Sequence, residues 1–102
     1  MSKSILHDKR DGTCYLCIHL RYDYSRRTCL EEHHVIGGNP GRKHSEHYGL
    51  KVYLCRQHHT DGPEAVHNNA ANMRFLQRKA QEVFEQKYSH EKWMEVFGQN
   101  FL

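Results

Sequence analysis

The sequence predicts an α+β fold in which a two-stranded hairpin and a following helix are tied together by a structural metal ion, with one further helix at the C-terminal end. Three observations predict it. Cys14–Cys17 and Cys55–His58 are two pairs of metal-ligand residue types, each pair separated by two residues. Between them lie two short stretches of strand character, 29–36 and 50–55. After them comes a long stretch with apolar residues at helical spacing. With 102 residues a single domain is expected, and 37% hydrophobic content gives so short a chain little core of its own. Small domains of this kind call for a staple.

Residues 1–13 are polar and read as a loose lead-in to one domain spanning 14–102, with a core over 14–88 and a last helix over 89–102. Residues 14–28, CYLCIHLRYDYSRRT, open with the first cysteine pair as a knuckle. Along 29–36 Leu30, Glu32, His34 and Ile36 fall on one face and Cys29, Glu31, His33 and Val35 on the other, which is strand periodicity. GGNPGRKHSEHYG (37–49) starts with Gly, Pro and Asn and reads as a loop. LKVYLC (50–55) is the second strand, and 56–62 is a turn punctuated by Asp61-Gly62-Pro63. A helix then runs from Pro63 or Asn69 to Tyr88, with Val66, Ala70, Met73, Leu76 or Gln77, Ala80, Val83 and Phe84 in register. Ser89 caps a final short helix that presents Trp93, Val96 and Phe97 and stops at Gly98. Met73, Leu76, Val83 and Phe84 read as core, with Trp93 and Phe97 as its cover in preference to a dimer contact. Tyr22, Tyr24, Tyr48 and Tyr53 read as core and hairpin packing.

No apolar run approaches the roughly 20 residues of a membrane span. MSKSILHDKRDG lacks the apolar core of a secretory signal, so a cytoplasmic location is expected. Disulfides are rare there, which turns the cysteines toward metal. Net charge is +3, unevenly spread: residues 1–79 hold 13 Lys and Arg against 8 Asp and Glu, and residues 80–102 hold 2 against 4. A basic body with an acidic tail suits a polyanionic partner.

Two thiolates two residues apart can bend around one tetrahedral ion, and a second pair completes it. The expected zinc set is Cys14, Cys17, Cys55 and His58. Cys29 or His59 are the alternatives for the fourth ligand; His58 is preferred for its spacing, leaving Cys29 as a small buried residue. Ten residues are His, and "CLEEHHVIGG" (29–38) places two side by side on a strand. His33 and His34 then point to opposite faces, so they divide the labour: one faces a metal, the other a water. An imidazole titrates near pH 6.5 and can take a proton at neutral pH. With His59 and His67 beyond the second strand, the chain has the makings of a second, open metal site.

These residues resemble the HNH endonucleases of the ββα-metal (His-Me finger) fold in their zinc-stapled form. The resemblance rests on Cys14-x2-Cys17, "EEHHVI" (31–36), "VYLC" (52–55) and "RQHH" (56–59), and covers about residues 14–75. "HHVIGG" and "YGLKVYLCRQHHTDGPEAVHNN" are also similar to small nucleases encoded by bacteriophages. The resemblance implies phosphodiester hydrolysis with one divalent ion, leaving 5′-phosphate and 3′-hydroxyl ends. It makes His34 the general base, and His33 and His59 ligands of a catalytic Mg²⁺, Mn²⁺, Ni²⁺ or Zn²⁺, with His67 as the third ligand or a phosphate contact; nitrogen donors favour the last three ions. Arg26, Arg27, Arg42, Lys43 and Arg56 would contact phosphates, with Arg74, Arg78 and Lys79 along the helix. The implied partner is double-stranded DNA read with low sequence specificity, with phage packaging or recombination proteins as further partners, a monomer or weak dimer as the working unit and, for a phage protein, the host cytoplasm as its place.

One departure stands out. The family usually carries an Asn shortly before the third knuckle ligand that fixes the base, and Leu50 occupies that place, with His47, Asn39 or Asn68 as substitutes. The rival reading is a zinc module without catalysis that binds nucleic acid or protein.

Overall fold

The computed structural model describes residues 3–102. It is α+β, with two antiparallel strands and several helices. Helix α1 (Tyr15–Arg21) begins at Cys14, whose sulfur accepts from the Cys17 amide, so the expected knuckle is also a helix start. Strand β1 (Glu31–His34) pairs with β2 (Lys51–Leu54) in the register Glu31↔Leu54, Glu32↔Tyr53, His33↔Val52 and His34↔Lys51. Both strands are shorter than their periodicity suggests, because the chain bends away at Val35 and Ile36 to bury those side chains in the core.

The connection between the strands corrects the sequence reading. Residues 37–49 are not all loop: helix α2 spans Gly41–Tyr48. The Gly and Pro residues stop at position 41, and RKHSEHY after them contains no breaker. Ser45 pins this helix to the end of β1. Its buried hydroxyl donates to the Ile36 carbonyl at 2.8 Å and accepts from the Ile36 amide at 3.1 Å. Gly49 ends α2 at φ +72°, where an added Cβ would collide with the Lys3 carbonyl oxygen.

A wide π-helical turn (Gln57–Asp61) follows β2. Helix α3 (Ala70–Lys87) starts at the later of the two expected places, where the Asn69 side chain caps the Asn72 amide at 3.0 Å. Helix α4 (His90–Phe97) is capped by Ser89 and stopped by Gly98 in the left-handed region, as its sequence predicts. The core lies between the hairpin, α1 and α3, and includes Leu16, Val35, Leu50, Val52, Leu54, Leu76 and Phe84. Trp93 of α4 is fully buried, edge-on to Phe84 and tilted against Phe97. Its indole N–H donates to the Gln99 carbonyl at 2.7 Å. Buried Gln81 ties down the following segment, donating to Asn100 Oδ1 at 2.8 Å and accepting from the Phe101 amide at 2.6 Å. Tyr48 and Tyr53 pack as expected, but Tyr22 and Tyr24 are 82% and 65% exposed, because the chain leaves α1 through a left-handed Tyr22 and turns outward.

The lead-in is not loose throughout: Ser4 to His7 and Thr13 pack against the domain, while Asp8 to Asp11 are exposed. β2 has β1 on one side only, so its outer edge needs other partners. The Ser4 hydroxyl donates to the Lys51 carbonyl, and the Tyr53 amide donates to His7 Nδ1 at 3.2 Å. His7 Nε2 lies 3.2 Å from the Thr13 hydroxyl. An accepting Nδ1 puts the His7 proton on Nε2, and burial lowers its pKa below the ordinary 6.5. The unfolded chain therefore takes up the second proton, the one that would occupy Nδ1 and break the Tyr53 bond, at a higher pH than the folded one. The resulting stability is fully present above pH 6.5 and is lost as pH falls through the folded value. His7→Asn, which keeps an acceptor for the Tyr53 amide but does not titrate, should show a shallower loss of urea stability from about pH 7.5 to about pH 5.5 at fixed zinc. Equal slopes for the two proteins would contradict this.

Among the described residues no helix is long and apolar enough to cross a membrane.

Candidate functional site

Three groups of metal-ligand side chains form on this frame. The first joins Cys14 and Cys17 at the start of α1, Cys55 after β2, and His58 in the π turn. His58 Nδ1 lies 3.7, 3.3 and 3.4 Å from the sulfurs of Cys14, Cys17 and Cys55, and the Cys17 and Cys55 sulfurs are 3.8 Å apart. Zn–S and Zn–N bonds of about 2.3 and 2.05 Å give tetrahedral edges of about 3.8 Å between sulfurs and about 3.6 Å from sulfur to nitrogen. Hydrogen bonding does not account for the cluster, since one ring nitrogen carries at most one proton and faces three sulfurs. Burial, reinforced by the Cys14 and Cys55 thiols, pushes Cys17 up to about 12. A cation is what such a group of sulfurs needs to ionise. The buried Cys3His group can hold a structural metal ion such as zinc, with the four ligands expected from the spacing. Cys29 is exposed and apart from this cluster, bonded to Thr28, because it lies before β1 where the chain is still on the surface.

The second group is His33 on β1, His59 in the π turn and His67 in the turns before α3. Their ring centroids are 4.9 to 5.4 Å apart, and one ligand nitrogen from each falls within 4.8 Å of the others. His33 is 6% exposed, and its Nε2 is buried without a hydrogen-bond partner among the described residues. Burial, then the neighbouring His59, His67 and His34, lowers its pKa to about 4, so the ring is neutral with a lone pair to offer. His59 Nδ1 bonds to Glu31 Oε1 at 2.9 Å. A carboxylate on one ring nitrogen, leaving the other for an ion, is the usual outer-shell arrangement of a metal-binding imidazole. An orphaned buried nitrogen and an oriented second ring fit a divalent ion of the nitrogen-preferring kind.

The third group lies on the opposite face of β1, as strand alternation requires. His34 Nε2 is 2.9 Å from Glu46 Oε1 and 3.6 Å from Glu32 Oε1. Lys51, paired directly across from His34, places its ammonium 2.9 Å from Glu46 and 3.4 Å from Glu32. Burial works against the Lys51 charge, but the carboxylates of Glu46 and Glu32 outweigh it and hold the pKa above the ordinary Lys range.

His34 nevertheless shares a cavity with the imidazole triad. This cavity, about 640 Å³, is lined by Glu32, His33, His34, Arg42, His59 and His67, with Ile36, Met73 and Phe101 on its apolar side. A second hollow of about 790 Å³ meets it at His34, Gly38 and Arg42 and continues past Asn39, Lys43 and His47. Of the five phosphate-contact candidates, Arg42 and Lys43 line these hollows. The other three are turned elsewhere. Arg27 donates to the Cys17 sulfur at 3.3 Å and to Asp23 at 3.0 Å, Arg26 donates to the Asp11 carbonyl, and Arg56 pairs with Asp61 at 2.9 Å.

Leu50, where the resemblance calls for Asn, is fully buried, and its carbonyl accepts from the Val35 amide. Asn68 does not replace it, since its amide is spent on the Thr60 and Gly62 carbonyls. Sequence reasoning missed Glu46, Lys51 and Glu31. Glu31 was within reach, because alternation puts it on the His33 face. Glu46 and Lys51 carried no signal, one lying in an apparent loop and the other reading as a solvated charge. In comparisons with known proteins, the chain matches no family model, no curated protein and no solved structure.

Proposed function

We propose that this chain is a metal-dependent nucleic-acid endonuclease of the HNH type, built on a ββα-metal fold and acting on DNA with low sequence specificity. The observation that carries the reading is one cavity lined by both His34 and the His33, His59 and His67 triad. His34 is the general base. A carboxylate only accepts, so the bond to Glu46 leaves the proton on Nε2 and the lone pair on Nδ1, ready to take a proton from water. His33, His59 and His67 would hold the catalytic ion, which when bound supplies charge neutralisation at the phosphate oxygens. Arg42 and Lys43 line the path along which a polyanionic backbone would run, and their contacts confer affinity without base readout.

The test is nicking of supercoiled plasmid with Mg²⁺, Mn²⁺ or Ni²⁺ against an EDTA control. Metal-dependent conversion to the open circle is expected, fastest with Mn²⁺ or Ni²⁺. No nicking with any of the three overturns the reading. Leu50 in place of Asn favours a second reading, a zinc module that binds nucleic acid or protein without cutting. Salt-sensitive retardation of DNA without cleavage would select its nucleic-acid form.

A further inference from the structure

We propose that Glu46 is the positioning residue of His34, holding the ring in one orientation as its Nε2–H tautomer. The catalytic consequence rests on the nuclease reading; the positioning itself rests on geometry. A carboxylate has lone pairs and no proton to give, so the 2.9 Å contact to Glu46 Oε1 requires the hydrogen on His34 Nε2. This places the lone pair on Nδ1, the only nitrogen then able to act as a base.

Glu46 is itself held. Lys51 Nζ donates to both of its oxygens, at 2.9 and 3.2 Å. Lys51 is 1% exposed, so its charge has no water to retreat to, and leaving it unpaired would be costly. It stands across the hairpin from His34, and neighbours on one face of a sheet share that face's side-chain layer. Glu46 therefore bridges a cross-strand pair from above. Its helix is locked to the end of β1 by the Ser45 hydroxyl on both backbone groups of Ile36, so the carboxylate arrives from a rigid element. Glu32 does not replace it, because its oxygen is 3.6 Å from the ring and its other oxygen faces Lys51 at 3.4 Å. An Asn at the place of Leu50 is thus unnecessary. A residue four positions earlier, on a helix that crosses the hairpin, fixes the ring instead.

The test uses the zinc-loaded full chain. Long-range ¹H–¹⁵N correlation of the His34 ring at one fixed neutral pH reads the tautomer directly. The parent is expected in the Nε2–H form. Glu46→Gln, whose amide can face the ring with either oxygen or nitrogen, should give mixed tautomers. Glu46→Ala/Lys51→Met removes the buried ammonium together with its half-buried carboxylate partner and should also give a mixture. Single-turnover cleavage at saturating Mn²⁺ should fall roughly 10- to 100-fold in both variants, while Mn²⁺ affinity of the His33, His59 and His67 group stays unchanged. A purely structural role for Glu46 would move that affinity and leave the tautomer of the folded protein alone. An Nδ1–H parent, or a tautomer indifferent to either variant, overturns the inference. The expected tautomer pattern in a chain that cuts nothing supports the positioning of His34 and overturns only the nuclease reading.

Discussion

His34→Ala is expected to fold like the parent and to lose about 10²- to 10⁴-fold in single-turnover cleavage, the range a positioned general base supplies. Folding is preserved because the imidazole is not the partner that keeps the charges around it satisfied. With the ring gone, Lys51 still holds Glu46 at 2.9 Å and Glu32 at 3.4 Å, so no buried ion is stranded. The triad survives for a different reason. His33 projects from the other face of β1, and His59 keeps its Glu31 bond. The variant should therefore bind Mn²⁺ as tightly as the parent. His33→Ala should do the reverse, losing Mn²⁺ affinity first and cleavage as a result. The measurement is cleavage at saturating Mn²⁺ beside a Mn²⁺ titration and a far-UV spectrum of each protein. Parent-like cutting by His34→Ala would remove His34 from the chemistry.

Stripping the ion from the cysteine cluster is expected to unfold the chain outright, and Cys14→Ser is expected to prevent it from folding. A structural zinc site contributes an apparent 10–16 kcal/mol or so at neutral pH, against a total stability of about 5–15 kcal/mol for an ordinary domain. The cluster joins the start of α1, the end of β2 and the π turn, and the hairpin it closes has only four residues in each strand. Two such strands do not stand alone in water. One equivalent of tightly held zinc should persist through dialysis, and a strong chelator should abolish the cooperative thermal transition. A sharp, unchanged melt after the zinc is removed would show that the core suffices without it.

The cysteine cluster was legible because its chemistry is local: a two-residue spacing dictates a knuckle whatever surrounds it. The opposed faces of His33 and His34 were legible for the same reason, since alternation along a strand is a property of the backbone. Helix α2 was not, because Gly37, Gly38, Pro40 and Gly41 dominate the reading of that stretch and it buries only Ser45, leaving no apolar stripe to detect. With α2 hidden, Glu46 was hidden too. Lys51 reads as a surface residue in any one-dimensional view, and its burial is tolerated only because two carboxylates from separate elements converge on it. The packing of Ser4 to His7 was invisible in the same way, because Ser4 and His7 satisfy a strand edge that exists only once the hairpin has formed.

His58 and His59 are neighbours, yet one belongs to the sulfur cluster and the other to the open imidazole triad. Under the proposed activity, this adjacency acts as a safety catch. If, as predicted, a chain without its ion does not fold, it does not bring His59 to His33 either, and the proposed cutting site forms only in the metal-loaded protein.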